Sequence, residues 1–101
     1  MSYTEPLTTR VPRALISKVQ VPAGTYQVTL HVPDHECEVH VQQLFGNHWD
    51  NIGGILPDNS HTGSRSATLG PFVLTEGSQV LLDYPFSKYP EGVAATLERI
   101  S

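Results

Sequence analysis

Between Tyr26 and Gln42 the chain alternates apolar and polar residues in two adjacent runs. Tyr26, Val28, Leu30 and Val32 are interleaved with Gln27, Thr29 and His31. Cys37, Val39 and Val41 are interleaved with Glu38, His40 and Gln42. A repeat of two puts every second side chain on one face of an extended strand, whereas a helix would need a repeat of 3.6. Each run therefore predicts a strand with one face on a core and one face in water. Pro33-Asp34 lies between them and reads as a turn. The simplest pairing is a hairpin with Val32 opposite Val39, Leu30 opposite Val41, and His31 opposite His40, which keeps both apolar faces together.

The rest of the chain extends this pattern. Ala14 to Val21 (ALISKVQV) reads as a strand closed by Pro22, followed by a Pro-Ala-Gly-Thr turn. From Val39 to Leu82, a strand runs into Leu44-Phe45, where the alternation breaks. Gly46-Asn47 is a turn, and Trp49 to Leu56 is a strand whose Gly53-Gly54 suggests a bulge or bend. Residues 57–66 are almost all loop formers, and Gly70-Pro71-Phe72 opens another strand. Val80, Leu82 and Tyr84 alternate, and Val93, Ala95 and Leu97 alternate in a last strand. Residues 1–13 contain Pro6, Pro12 and little visible alternation, and so predict an extended arm. The sum is an all-β, antiparallel sandwich, jelly-roll or immunoglobulin-like, of about seven or eight short strands over residues 14–101, preceded by the arm over 1–13.

Composition narrows the function. A length of 101 residues fits one domain. Six Lys and Arg against ten Asp and Glu give a net charge of −4, which argues against a nucleic-acid surface. No basic amphipathic helix and no apolar run of membrane-spanning length is present. The single cysteine, Cys37, excludes an internal disulfide. The N-terminal MSYTEP lacks the basic and apolar regions of a secretory leader, so none is expected.

Candidate chemistry is sparse. His31, His35, Cys37 and His40 are all residue types that ligate zinc, and the expected hairpin would put His31 and His40 side by side. Their spacing matches no standard zinc pattern, and Cys37 alternates with the core residues, so neither a metal nor any other cofactor is expected. No serine sits in a nucleophile elbow; Ser64 lies in a polar loop with His61 nearby. Asp34 with Glu36, Asp50 with Asp58, and Glu76 with Asp83 read as turn or strand-end residues. No enzyme is predicted. Trp49, Tyr84, Phe86 and Tyr89 could form a sugar-stacking platform, with His48, Asp50 and Asn51 beside Trp49. A lone Trp in a small sandwich is more often core, which leaves Phe86 and Tyr89 as the expected exposed contacts for a ligand or protein.

One stretch resembles a pattern found in small β-sandwich structural proteins of tailed bacteriophages. It comprises Val39-His40-Val41-Gln42-Gln43, Gly46-Asn47, Trp49-Asp50-Asn51-Ile52-Gly53, Gly70-Pro71-Phe72 and Gly77-Ser78-Gln79-Val80, within a span that covers just under half the chain. The resemblance implies a virion component of decoration, head-fibre or tail-associated type, assembled in the host cytoplasm, with no catalytic residues to carry over. Its partners would be other virion proteins and further copies of itself, with no nucleic acid or membrane. Arms make such contacts by strand addition, which points to Thr4, Pro6, Leu7, Val11 and Arg13 as partner-binding residues. The alternative is a carbohydrate-binding module using Trp49 and the loop aromatics.

Overall fold

A computed structural model describes residues 3–11, 13–17, 20–84 and 92–101. The described residues form nine strands: β1 (Tyr3–Pro6), β2 (Thr8–Val11), β3 (Ala14–Ile16), β4 (Gly24–Val32), β5 (Val39–Phe45), β6 (His48–Ile55), β7 (Arg65–Leu74), β8 (Gln79–Asp83) and β9 (Ala94–Arg99). They make two sheets, one ordered β1-β9-β4-β7 and the other β2-β3-β8-β5-β6. Every pairing is antiparallel. The all-β sandwich expected from the alternation is what forms. From β3 onward the chain changes sheet at each connection except the β5–β6 hairpin. That wiring is a jelly roll rather than an immunoglobulin arrangement.

The core is the sum of the inward positions. Tyr26, Val28, Leu30 and Val32 of β4, Val39 and Val41 of β5, Val80 and Leu82 of β8 and Leu97 of β9 are each at most 1% exposed. Burying such side chains stabilises by about 1.5–3 kcal/mol each, before the entropy of ordering them. The inward polar groups Ser17 and Gln43 are paired. Ser17 Oγ accepts from Val80 N at 2.8 Å, and Gln43 Nε2 donates to Ser78 Oγ at 2.9 Å. Unpaired, each would carry a desolvation cost.

Two expectations are corrected here. The β4 and β5 runs do not form a hairpin. β4 lies between β9 and β7, and β5 lies between β8 and β6 in the other sheet. The alternation was right about which faces are buried, but two apolar faces can meet across a sandwich as well as side by side. The N-terminal arm is also not free. Thr4 and Pro6 are in register with Glu98 and Thr96, and Val11 with Ala14. Leu7 sits where the chain passes from one sheet to the other, is 7% exposed, and joins the core. The sandwich therefore begins at Tyr3. Arg13, with φ 69, stands at the turn between β2 and β3. None of these residues is a loose strand awaiting a neighbour.

The pattern was hidden by Glu5, which faces Leu97 on the inner side and is 8% exposed. Tyr3 Oη donates a hydrogen bond to its carboxylate. A carboxylate at an inward position breaks the apolar alternation that would have marked the strand. At the other end of the chain, β9 forms as read. β3 ends at Ile16, Ser17 and Gln20 lie outside any strand, and Val21 returns to the sheet as an isolated bridge to Ser78.

Candidate functional site

The outer face of the five-stranded sheet carries the most distinctive surface. Its residues follow from register. Val41 and Leu82 are paired and fully buried, so their neighbours Gln42 and Leu81, also paired, point outward. Gln43 and Val80 turn inward again, and Leu44 and Gln79 outward. On β6, Trp49 lies opposite Leu44 and Asn51 opposite Gln42. Ile16 continues the second row beyond Leu81. The result is an apolar strip, Trp49-Leu44 and Leu81-Ile16, flanked by the amides Gln42, Asn51 and Gln79. His40 and Asp83 form a third, polar row.

Local chemistry sets the strip's edge. The β5–β6 hairpin turns through Gly46, whose φ of 64° is what the first central residue of a tight two-residue turn requires. This brings Phe45 opposite His48 at the tip, with Phe45 52% exposed and Trp49 40% exposed. His48 Nε2 lies 2.9 Å from Asp50 Oδ1 in an exposed pair. The register shifts between Val41 and Gln42, where Ile52 is the extra residue. This bulge is the irregularity that Gly53-Gly54 signalled. Gly54 also permits a close approach, since a Cβ there would stand 2.2 Å from the Val39 carbonyl oxygen.

Trp49 is thus not the pin of the core that its solitude in the sequence suggested. It lies on a strand at the edge of the described sheet, paired among the described strands with β5 alone, and the core is filled without it. Tyr84, by contrast, is 2% exposed and cannot belong to a surface platform. Phe86 and Tyr89 lie outside the described residues. Leu44, Leu81 and Ile16 were missed as surface residues. Their signal was present in the doubled apolar pairs Leu44-Phe45, Leu81-Leu82 and Leu15-Ile16, where alternation alone would have placed a polar side chain.

The histidines are separated. His31 points out of the four-stranded sheet, with Nδ1 3.0 Å from Ser66 Oγ. His40 points out of the other sheet, with Nε2 2.6 Å from Glu38 Oε2. The two therefore lie on opposite outer faces and cannot share an ion. Cys37 is buried, as its alternation indicated. Among the described residues no group of three or more His, Cys, Asp or Glu is placed to hold a metal.

The loop after β6 contains a Ser, a His and an Asp, but not in a relay. Ser60 Oγ donates to Asp58 Oδ1 at 2.6 Å and stands 3.1 Å from His61 Nδ1, and Asp58 Oδ2 is 3.0 Å from that same nitrogen. A nucleophile–base–acid chain needs the base to use its two nitrogens for different partners. Here both meet Nδ1. The hydroxyl and backbone N–H of Ser60 hold the Asp58 carboxyl down to about 2.

The fold and this face together define a jelly-roll sandwich with an exposed aromatic and amide-lined sheet. No family model matches the chain, and no curated protein sequence matches it.

Proposed function

We propose that the protein is a structural component that works by assembly, not by catalysis, and that its setting is the virion of a tailed bacteriophage. The observation carrying the assembly reading is the coincidence of a sheet edge with exposed apolar side chains. Among the described strands β6 pairs only with β5, and Phe45, Trp49 and Leu56 along it and beside it are 52, 40 and 76% exposed. Val73, on the edge strand of the other sheet, is 78% exposed. Folded proteins usually protect edges with lysine, proline or cover, and β6 carries neither lysine nor proline. A second copy seated there would satisfy the open backbone groups and cover the apolar strip. The virion setting rests on the strand-and-turn pattern from Val39 to Val80 and on the jelly-roll wiring, a frequent capsid architecture. Light scattering on the purified chain tests the reading. An oligomer that dissociates in Phe45→Ser and Trp49→Ser variants supports it, and a wild-type monomer at the highest soluble concentration sinks it.

The exposure of Trp49 favours one second reading, a carbohydrate-binding module. An indole face beside Gln42, Asn51 and Gln79 offers a stacking surface with amide donors and acceptors for hydroxyl groups. Titration with soluble oligosaccharides, followed by Trp49 fluorescence, separates this from pure assembly.

A further inference from the structure

We propose that His35 and His61 form a two-imidazole site for a divalent late first-row transition metal ion, zinc, nickel or copper, with solvent completing the coordination. The pair joins residues 26 apart in the sequence, from the turn before β5 and the loop before β7. Their rings are nearly parallel, with centroids 5.4 Å apart and planes inclined by 27°.

The hydrogen bonds fix which nitrogen of each ring is free. His35 Nδ1 lies 2.6 Å from the Gly63 carbonyl oxygen, which can only accept, so Nδ1 carries the hydrogen. His61 Nδ1 lies 3.0 Å from the Asp58 carboxylate, which likewise accepts. Both neutral imidazoles are therefore the Nδ1–H tautomer, and each has its Nε2 lone pair available. This is how metal-binding histidines are oriented, by a carbonyl or a carboxylate on the nitrogen away from the ion. Imidazole nitrogen suits zinc, copper and nickel among the divalent ions.

The two loops are already held together. Asp58 N donates to His35 O at 2.7 Å. Arg65 donates to the carbonyls of Cys37 and Leu56 at 3.1 and 2.6 Å, tying both loops to the start of β7. Two nitrogens on one zinc ion stand at most about 4 Å apart. Ring centres lie roughly 1 Å behind their bonded nitrogens, so centroids 5.4 Å apart match the spacing of two imidazoles on one ion; because the planes are nearly parallel, the exposed His61 ring has to tilt for both Nε2 atoms to face that ion. The site uses none of the residues of the proposed assembly strip.

The test is isothermal titration of the full, tag-free chain with zinc and with nickel, beside long-range proton–nitrogen NMR of the histidines. One ion per chain is expected, with the Nε2 resonances of His35 and His61 moving on addition. His35→Ala and His61→Ala should each abolish binding, Asp58→Asn should weaken it about 10–100-fold, and His31→Ala and His40→Ala should leave it unchanged. An unchanged amide spectrum shows that the variants fold. The proposal is overturned if the wild-type chain binds neither ion, if the double variant His35→Ala/His61→Ala binds as tightly as wild type, or if either ring is found as the Nε2–H tautomer.

Discussion

Leu44 and Trp49 stand directly opposite each other across the β5–β6 hairpin, on the outside of the sandwich. Cross-strand pairs of this type contribute roughly 0.2–1 kcal/mol. Trp49→Ala should therefore cost about 1 kcal/mol or less in denaturant unfolding, while weakening self-association. Because Trp49 is the only tryptophan, fluorescence reports on it alone. Its emission should be red-shifted and readily quenched by acrylamide in dilute, dissociated protein, and blue-shifted on assembly. A blue-shifted, quencher-resistant spectrum at every concentration would place the indole in the core.

The N-terminal strands should be indispensable to folding. Removing residues 1–11 takes β1 from β9 and β2 from β3, and leaves a hole where Leu7 packs. The truncated chain is expected to lose its cooperative thermal transition. Leu7→Ala alone should destabilise by about 2–5 kcal/mol, as other buried Leu truncations do. A truncated chain that unfolds cooperatively with the wild-type midpoint would restore the idea of a detachable arm.

How far this fold was legible depended on whether inward positions were apolar. β4, β5, β8 and β9 announced themselves because successive inward positions are apolar: Tyr26 to Val32, Val39 and Val41, Val80 and Leu82, and Ala95 and Leu97. β1 was illegible because its inner positions are Tyr3 and Glu5, and an inward carboxylate held by a tyrosine hydroxyl looks like a surface residue. Sheet assignment was beyond the pattern altogether. Alternation tells which side of β4 is buried, but the same apolar face results whether Val39 lies beside Val32 or across the core from it. The surface strip was half legible. Trp49 is conspicuous as the chain's single tryptophan, but that residue type favours the core in a small sandwich, and Leu44, Leu81 and Ile16 show only as broken alternation. The His35–His61 contact joins two loops whose approach depends on the whole sandwich, so no local reading could have found it.

Alkaline pH should unfold the protein. Burial pushes the phenols of Tyr26 and Tyr84 above their ordinary value, and burial together with the Glu5 hydrogen bond does the same to Tyr3. Each is held protonated in the fold beyond the pH, about 10, at which it ionises in the unfolded chain. Their contribution to stability is complete below pH 10 and is lost as pH rises through the folded values, because the unfolded chain then releases protons the fold retains. Denaturant midpoints should be insensitive to these groups at neutral pH and fall above pH 10. Tyrosinate absorbance should appear together with unfolding for these three side chains. Full ionisation of all tyrosines in a still-folded protein would contradict the burial.

Gly54 gives the sharpest test of how β6 is mounted. A Cβ at this position would stand 2.2 Å from the Val39 carbonyl oxygen and 3.3 Å from His40 Cα, both backbone atoms that cannot swing aside. Gly54→Ala should therefore force β6 away from β5 at its C-terminal half, costing about 1–3 kcal/mol, the usual range for overpacking. Gly46→Ala meets no atom within 4 Å, but its φ of 64° is unfavourable for alanine. It should cost about 1–2 kcal/mol by backbone strain alone. The two can be told apart by amide hydrogen exchange. Gly54→Ala should raise exchange along residues 51–55 while the hairpin tip stays paired, and Gly46→Ala should loosen the tip at Phe45 and His48 first. Equal protection of residues 51–55 in wild type and Gly54→Ala would mean that β6 does not sit against Val39 as closely as this register requires.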